Sequence, residues 1–455
     1  MSKLEVDKID PQSGTDLELG SSGDTVIIPT GVTLDASNAT TTLPANVVTT
    51  NGTQTLTNKT IDASQLSGTV ATSNLGTGTA DATTFLRGDQ TYASATPAAG
   101  SITTTQLAYN PNPFRNIIIN GDMSIAQRGT STSGISTTGR FVLDRWKLNV
   151  DTMGAWTVSQ STDVPTGQGF ASSIKWDCTT ADASPSASDN IQFQQRFEGQ
   201  NLQYIKKGTS SAESLTLSFW VKSNKTGTYC ISLIKIDNTR YDYIAEYSIS
   251  SADTWEKKTI TIAPDSNIQA AGGAIDNDNG IGFYCQFTLA NGSGRQGSNE
   301  TWNTSTPATS TSNQVNFLDN TANEFYITGV QLEAGTTASD FEFLPYDVNL
   351  QRCQRYYSIA KFMTGVGFDA TNIRFGASFN PTMRTSPTLG TTGALQFTDG
   401  YSADKGQSSG NVSVFDTSAY GVWGQAGNFS SLTTGRAYFG NRFFNSGLIS
   451  LDAEL

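Results

Sequence analysis

Over most of this chain, apolar side chains recur at every second position. Leu215, Leu217, Phe219 and Val221 alternate with Thr216, Ser218 and Trp220, and Ile260 and Ile262 repeat the pattern after Trp255. A period of two puts successive side chains on opposite faces of an extended backbone, so these segments predict strands. Residues 280–289 read as a strand with both faces partly apolar. Well-filled strands are also predicted over 116–123, 325–335 and 341–346. Residues 350–357 suit a two-turn helix. About eight strands at these spacings predict a two-sheet jelly roll over residues 109–347 and a smaller β domain over 348–455.

The first quarter is a different material. Residues 1–108 hold only two aromatics, Phe85 and Tyr92, while the whole chain is 10% aromatic. Short pieces such as Asp24-Thr-Val-Ile-Ile-Pro29 and Leu66-Ser-Gly-Thr-Val70 carry one to three aliphatics each, then a turn residue. One copy of such a segment buries too little apolar area to offset a backbone ordering cost of about 1–2 kcal/mol per residue. Disordered segments have high charge and few β-branched residues. Here Val, Ile and Thr are frequent and charge is low, which predicts several copies wound about one axis. The expected fold class is therefore all-β: an intertwined trimeric N-terminal stalk, a jelly-roll sandwich and a small C-terminal β domain.

Composition reinforces this. Charged residues make up 15% of the 455, and there are 43 glycines; the usual charged share is about 25%. The formal charge of −12 lacks the basic footprint that a nucleic-acid partner requires. No apolar run approaches the ~20 residues of a membrane span. The opening residues lack the apolar core of a secretory signal, so synthesis in a cytoplasm is expected. The cysteines, Cys178, Cys230, Cys285 and Cys353, are far apart with no Cys-x-x-Cys pair, and are read as free thiols buried in β cores.

The chain has no histidine. That removes His-activated nucleophiles, His-ligated zinc and the commonest general base. Carboxylate pairs survive as an option, with Glu198, Asp340, Glu342 and Asp347 as candidates. The sequence does not bring any two together, so no catalytic residue, no cofactor and no enzyme activity are expected.

Three other motifs have plain readings. Gly292-Ser-Gly-Arg-Gln-Gly297 matches a dinucleotide fingerprint, but the residues after Gly297 are loop-like where a helix is required, so it reads as a turn. Asp276-Asn-Asp278-Asn-Gly280 resembles the start of a calcium loop, and Asp276 and Asp278 are its candidate ligands beside the reading as a solvated turn. Arg87-Gly-Asp89 reads as a turn with a local ion pair. Trp146, Trp220 and Trp255 belong to strands and read as core. Trp302 and Trp423 stand in Gly/Asn/Ser-rich loops with no evident core to fill, and are the candidates for stacking on sugar faces.

Two groups of motifs carry a resemblance. Gln54-Thr-Leu-Thr-Asn-Lys-Thr-Ile61 and Phe85-Leu-Arg-Gly-Asp-Gln-Thr-Tyr92 resemble repeat elements of bacteriophage tail fibres, with Gln90 and Tyr92 departing from the usual Gly and Trp. Asn116-Ile-Ile-Ile-Asn-Gly-Asp-Met123, Gln127-Arg-Gly129 and Asp144-Arg-Trp146 resemble the opening of a carbohydrate-binding-module-like jelly roll in phage tail proteins, with Met123 in place of an aromatic. The start, residues 3–10, resembles fibres that dock onto a tail through their N-terminus. The resemblance implies a virion-attachment segment over 1–30, with Leu4, Val6 and Ile9 as docking candidates, and a fibrous stalk over 31–108. It further implies a homotrimer, a second tail protein as partner, and a host surface glycan or protein as receptor. The alternatives are a tail adaptor without a receptor and a polysaccharide-degrading spike.

Overall fold

The computed structural model describes residues 114–455 except 140, 152, 305–307, 361–362, 392, 402–404, 409–410 and 441–448, together with scattered positions in 23–33 and 75–94. The chain divides into two units, Met1–Thr96 and Pro97–Leu455. In the first, β1 (Thr84–Leu86) pairs antiparallel with β2 (Tyr92–Ser94), and Arg87 N donates to Thr91 O at 2.8 Å. The Phe85–Tyr92 motif thus folds back on itself. The 54–61 repeat and Leu4, Val6 and Ile9 lie outside the described residues, as do Gly88 and Asp89 of the Arg-Gly-Asp turn.

The second unit is built on two facing six-stranded antiparallel sheets. Their strands, in chain order, are β3 (Ser131–Ile135), β4 (Lys147–Asp151), β5 (Ala155–Ser161), β6 (Ser173–Thr180), β7 (Asn190–Glu198) and β8 (Leu215–Ser223). Next come β9 (Gly227–Lys235), β10 (Tyr241–Ile249), β11 (Glu256–Ile262), the short helix α1 (Ser266–Gln269), β12 (Ile281–Asn291), β13 (Trp302–Asn303) and β14 (Glu324–Ala334). One sheet has the order β13-β10-β9-β12-β7-β4, the other β11-β8-β14-β6-β5-β3. Period-two alternation sends one set of side chains from each sheet into a shared core. Phe193 stacks on Phe287 at 4.9 Å, Trp176 lies 5.0 Å from Phe193, and Phe219 meets Phe287 edge-on at 5.0 Å. The four cysteines are buried and free, but Cys353 lies on the helix after β14 and packs with Ile119, Ile125 and Tyr356 rather than in a β core. In the central β12, Phe283, Cys285 and Phe287 are core residues, while Tyr284, Gln286 and Thr288 alternate with them.

Three expectations need correction. Residues 116–123 are not a strand. Beside the backbone bonds from Ile117 N to Leu332 O and from Val330 N to Gly121 O, the Asn116 side chain fastens this segment: Nδ2 donates to Val330 O, and Oδ1 accepts from Ile118 N and Leu332 N. Gln195 holds the same segment through both backbone groups of Ile119. Residues 341–345 form no strand either; Phe341 and Phe343 turn back to pack on Phe170, and Pro345 caps helix α2 (Tyr346–Gln354). Trp220 and Trp255 are only half-buried, because alternation points Trp220 away from the core and Trp255 lies just before β11. Trp146 is core, as read.

After α2 come β15 (Tyr357–Ala360), β16 (Thr364–Gly367), β17 (Ile373–Ser378), β18 (Thr388–Thr391) and β19 (Gln396–Thr398). The last are β20 (Lys405–Gly406), β21 (Val412–Ser418), β22 (Gly421–Ala426), β23 (Ala437–Gly440) and β24 (Ile449–Asp452). They make a three-stranded sheet, β15-β24-β18, and a seven-stranded one, β20-β19-β23-β16-β17-β22-β21. A separate apolar cluster around Phe375, Phe397, Phe429 and Tyr438 fills this part. The final residues run back to the sandwich. Glu454 pairs with Arg128 at 3.4 Å and with the buried Arg145, and Arg196 Nη1 donates to Leu455 O at 3.1 Å.

Candidate functional site

The residues of the 116–123, 127–129 and 144–146 motifs meet, but as scaffolding. Asn120 Nδ2 donates to Ile125 O and Asp144 O, and Trp146 Nε1 donates to Asn120 O at 3.0 Å. Gln127 Nε2 donates to Asp144 Oδ2 at 2.7 Å, and Arg128 lies 3.4 Å from Asp144 Oδ1. Burial pushes the Asp144 carboxyl up to about 6, against the pull of Arg128 and Gln127.

Trp302 does not fit the stacking reading. It is 1% exposed, packs 5.1 Å from Tyr243 and 5.8 Å from Phe283, and donates from Nε1 to Ala263 O at 3.0 Å. A short pairing of β13 with β10 carries it out of the loop and into the core. Trp423 is 53% exposed. It meets Phe415 edge-on at 4.9 Å, and the Arg374 guanidinium lies 3.6 Å from the Phe368 ring and 5.7 Å from that of Phe415. Trp423 pairs with Gly376, Gly376 with Thr364 and Thr364 with Phe439, so a small-residue floor separates two exposed aromatics.

Asp276 and Asp278 form a turn held by internal bonds. Asp278 Oδ1 accepts from Gly280 N at 2.9 Å, Asp276 Oδ1 from Asn238 Nδ2 at 3.3 Å, and Asp276 N donates to Asp237 Oδ2 at 3.1 Å. Among the described residues no group of three or more His, Cys, Asp or Glu is disposed to hold a metal. The Gly292–Gly297 motif opens a 3-10 turn at Ser293–Arg295 and no longer helix.

Of the candidate carboxylates, Glu198 is saturated. Arg355 grips both oxygens at 2.8 and 2.7 Å, Tyr356 Oη donates at 2.6 Å and Gln200 Nε2 at 2.6 Å. Burial alone would raise this carboxyl, but these donors outweigh it and hold it below the usual range. Glu342 accepts from Arg115 N and Asn116 N. Both acids serve as structural acceptors.

Sequence reasoning missed a polar groove of about 380 Å³ along β4, β7, β12 and β9. Alternation on β7 directs Gln192, Gln194 and Arg196 to the face opposite Phe193. Register places them beside Thr288, Gln286 and Tyr284 of β12, and Asn149 of β4 beside Gln192. Hydrogen bonding orients the Gln194 amide. Its oxygen accepts from Arg196 Nε and Nη2, both at 3.0 Å, and its nitrogen reaches Gln286 Oε1 at 3.1 Å. Gln192 Nε2 donates to Thr309 Oγ1 and Asn190 Oδ1. Gln286 is 1% exposed, yet its Nε2 has no acceptor among the described residues, although it lines the groove. Arg240 is paired with Asp242, and Arg295 with Asp151, at the rim. The arrangement presents fixed amides, two guanidinium groups paired with acids and a third, Arg196, bonded to the neutral Gln194 oxygen, beside one aromatic ring. Such groups make directional bonds to neutral hydroxyls and carbonyls. The signal available in sequence was the run Gln192-Phe-Gln-Gln-Arg-Phe197, in which amides occupy the polar phase of a central strand.

No protein-family model matches the sequence, and no curated protein matches it. Among solved structures it is similar to the enzymatically active domain of tailspike protein 4 of bacteriophage CBA120, at 14% identity and a TM-score of 0.25 over 49% of this chain and 22% of that one. The chain thus spans about a fifth of that tailspike's length. It is also similar to TmCBM61 in complex with β-1,4-galactotriose, at 12% identity and a TM-score of 0.22 over 48% of this chain and 99% of that one. A family 11 carbohydrate-binding module from Clostridium thermocellum gives 13% identity and a TM-score of 0.23 over 46% and 98%. At TM-scores this low, these likenesses carry no weight for chemistry or partner.

Proposed function

We propose that this protein is a non-enzymatic attachment fibre of a bacteriophage tail that binds a host surface glycan through the polar groove of its sandwich. One observation carries the reading: half-buried Arg196 and Tyr284 stand over an amide floor in which Gln286 Oε1 accepts from Gln194 and the Gln194 oxygen accepts from Arg196. A hydroxyl-rich ligand would meet Arg196 as a donor and lay its apolar face on the Tyr284 ring. The tail motifs support the virion setting, with residues 1–30 docking to another tail protein. The exposed apolar side chains Ile27, Val32, Phe85 and Leu86 support a homotrimeric stalk, in which sister chains would cover them. Three copies multiply modest single-site affinity through effective concentration.

The test is adsorption of the full chain to host cells and its binding to purified host glycan. Gln286→Ala and Arg196→Ala are each expected to weaken binding about tenfold, as for loss of a hydrogen bond of about 1–2 kcal/mol. Folded variants that adsorb like the parent would exclude the groove. A second reading, an adaptor joining protein parts, is favoured by the exposed apolar face around Trp423, Phe415 and Phe439. A full chain that neither adsorbs to host cells nor binds host glycan, but pulls down another tail protein in a manner lost with Trp423→Ala, would favour the adaptor.

A further inference from the structure

A second cavity is larger than the groove: a cleft of about 540 Å³ between the 114–119 segment, the end of β7 with its following 3-10 turns, and α2. That volume falls in the range of small-molecule sites, about 300–1,000 Å³. Its walls are aromatic, and two of them face open space: Phe114 is 58% exposed and Tyr204 49%. Phe197 and Tyr356 close the inner side.

The charges within the cleft are unevenly matched. Arg355 is consumed by the bidentate pair with Glu198, whose other lone pairs are taken by Tyr356 and Gln200. Glu342, the acid whose field reaches Arg352, already accepts from two backbone amides and pairs with Arg115 at 3.9 Å. Arg352, half-buried on α2, donates once, from Nη2 to Asn116 O at 3.3 Å, and makes no ion pair among the described residues. Burial disfavours its charge, partly offset by the field of Glu342. A planar guanidinium with free donors suits a carboxylate, which it can grip with two parallel bonds. Rings that stand exposed beside it suit the apolar face of a sugar.

We infer that the cleft beside α2 is a second ligand site, which takes a carboxylate-bearing sugar residue with its acid on Arg352 and its ring against Tyr204 and Phe114. This goes beyond the groove, where Arg240 and Arg295 are paired with acids and Arg196 is bonded to the Gln194 oxygen and to Leu455 O.

The test uses the full chain with sodium glucuronate, glucose and sodium acetate as probes, followed by calorimetry and ligand-observed NMR. Glucuronate is expected to bind at least tenfold more tightly than either glucose or acetate. Arg352→Gln is expected to remove at least tenfold of that affinity, and Tyr204→Ala a few-fold. Arg352→Lys keeps the charge without the fork and is expected to fall between, which preserves the test if Arg352→Gln folds poorly. Equal affinity for glucuronate and glucose overturns the proposal, as does acetate binding as tightly as glucuronate. Gln286→Ala is expected to leave glucuronate affinity unchanged, so failure of the groove and failure of the cleft read out separately.

Discussion

Asp144 shows how one buried residue links a motif to stability. Its burial pushes the carboxyl up to about 6, whereas an unfolded chain titrates near 3.9. The folded state therefore holds its proton more tightly. That contribution is fully present below about pH 4 and is lost as pH rises through 6, a change of about 2–3 kcal/mol. Asp144→Asn should abolish it: the stability of the parent relative to the variant, from denaturant titrations, is expected to fall by that amount between pH 4 and 7. A difference that stays flat with pH would contradict the assignment. The same scale explains the tryptophans. Trp302 and Trp423 have similar local sequence, and only the pairing of β13 with β10 against the open face of β22 separates a core residue from an exposed one.

At the scale of elements, side-chain bonds supplement sparse backbone bonds where the strand pattern failed at 116–123. Asn116 holds this segment against β14, which is bulged between Thr328 and Gln331, and Gln195 ties it to β7. Gly121 sits where the two backbones touch, and an added Cβ would lie 2.1 Å from Val330 O. Gly121→Ala must displace backbone and is expected to cost about 2–3 kcal/mol of stability, seen as a lowered denaturation midpoint. Gly376→Ala is the control: it lies in a strand, its Cβ would meet only Val422 O at 3.8 Å, and a change within about 0.5 kcal/mol is expected. Equal costs at both sites would show that the close approach of β14 is not what demands Gly121.

For the whole molecule, the return of residues 451–455 ties the last sheets to the sandwich. Arg384 donates to Ala453 O and Glu454 O, while Glu454 meets Arg128 and Arg145. Association is the matter to measure at this scale. Light scattering of the full chain is expected to give three times the chain mass at micromolar concentration, and this should persist when Gln286 or Arg352 is replaced. A stable monomer would remove the trimeric fibre while leaving groove and cleft to be judged by their own ligands.

The sequence by itself determined that this is a β protein. Alternation of the Leu215–Val221 kind, scarce charge and abundant glycine leave few other ways to bury apolar surface. Absence of histidine was likewise legible in composition alone, and the thiols read as buried are so. Only the tertiary structure decided where ligands could sit. Gln192, Gln194 and Gln286 are ordinary strand residues until register aligns β7 with β12, and Arg352 gains a cleft only when α2 packs beside β7. A binding surface is a property of which faces meet and which stay open, and that depends on partners far along the chain, beyond the reach of any local pattern.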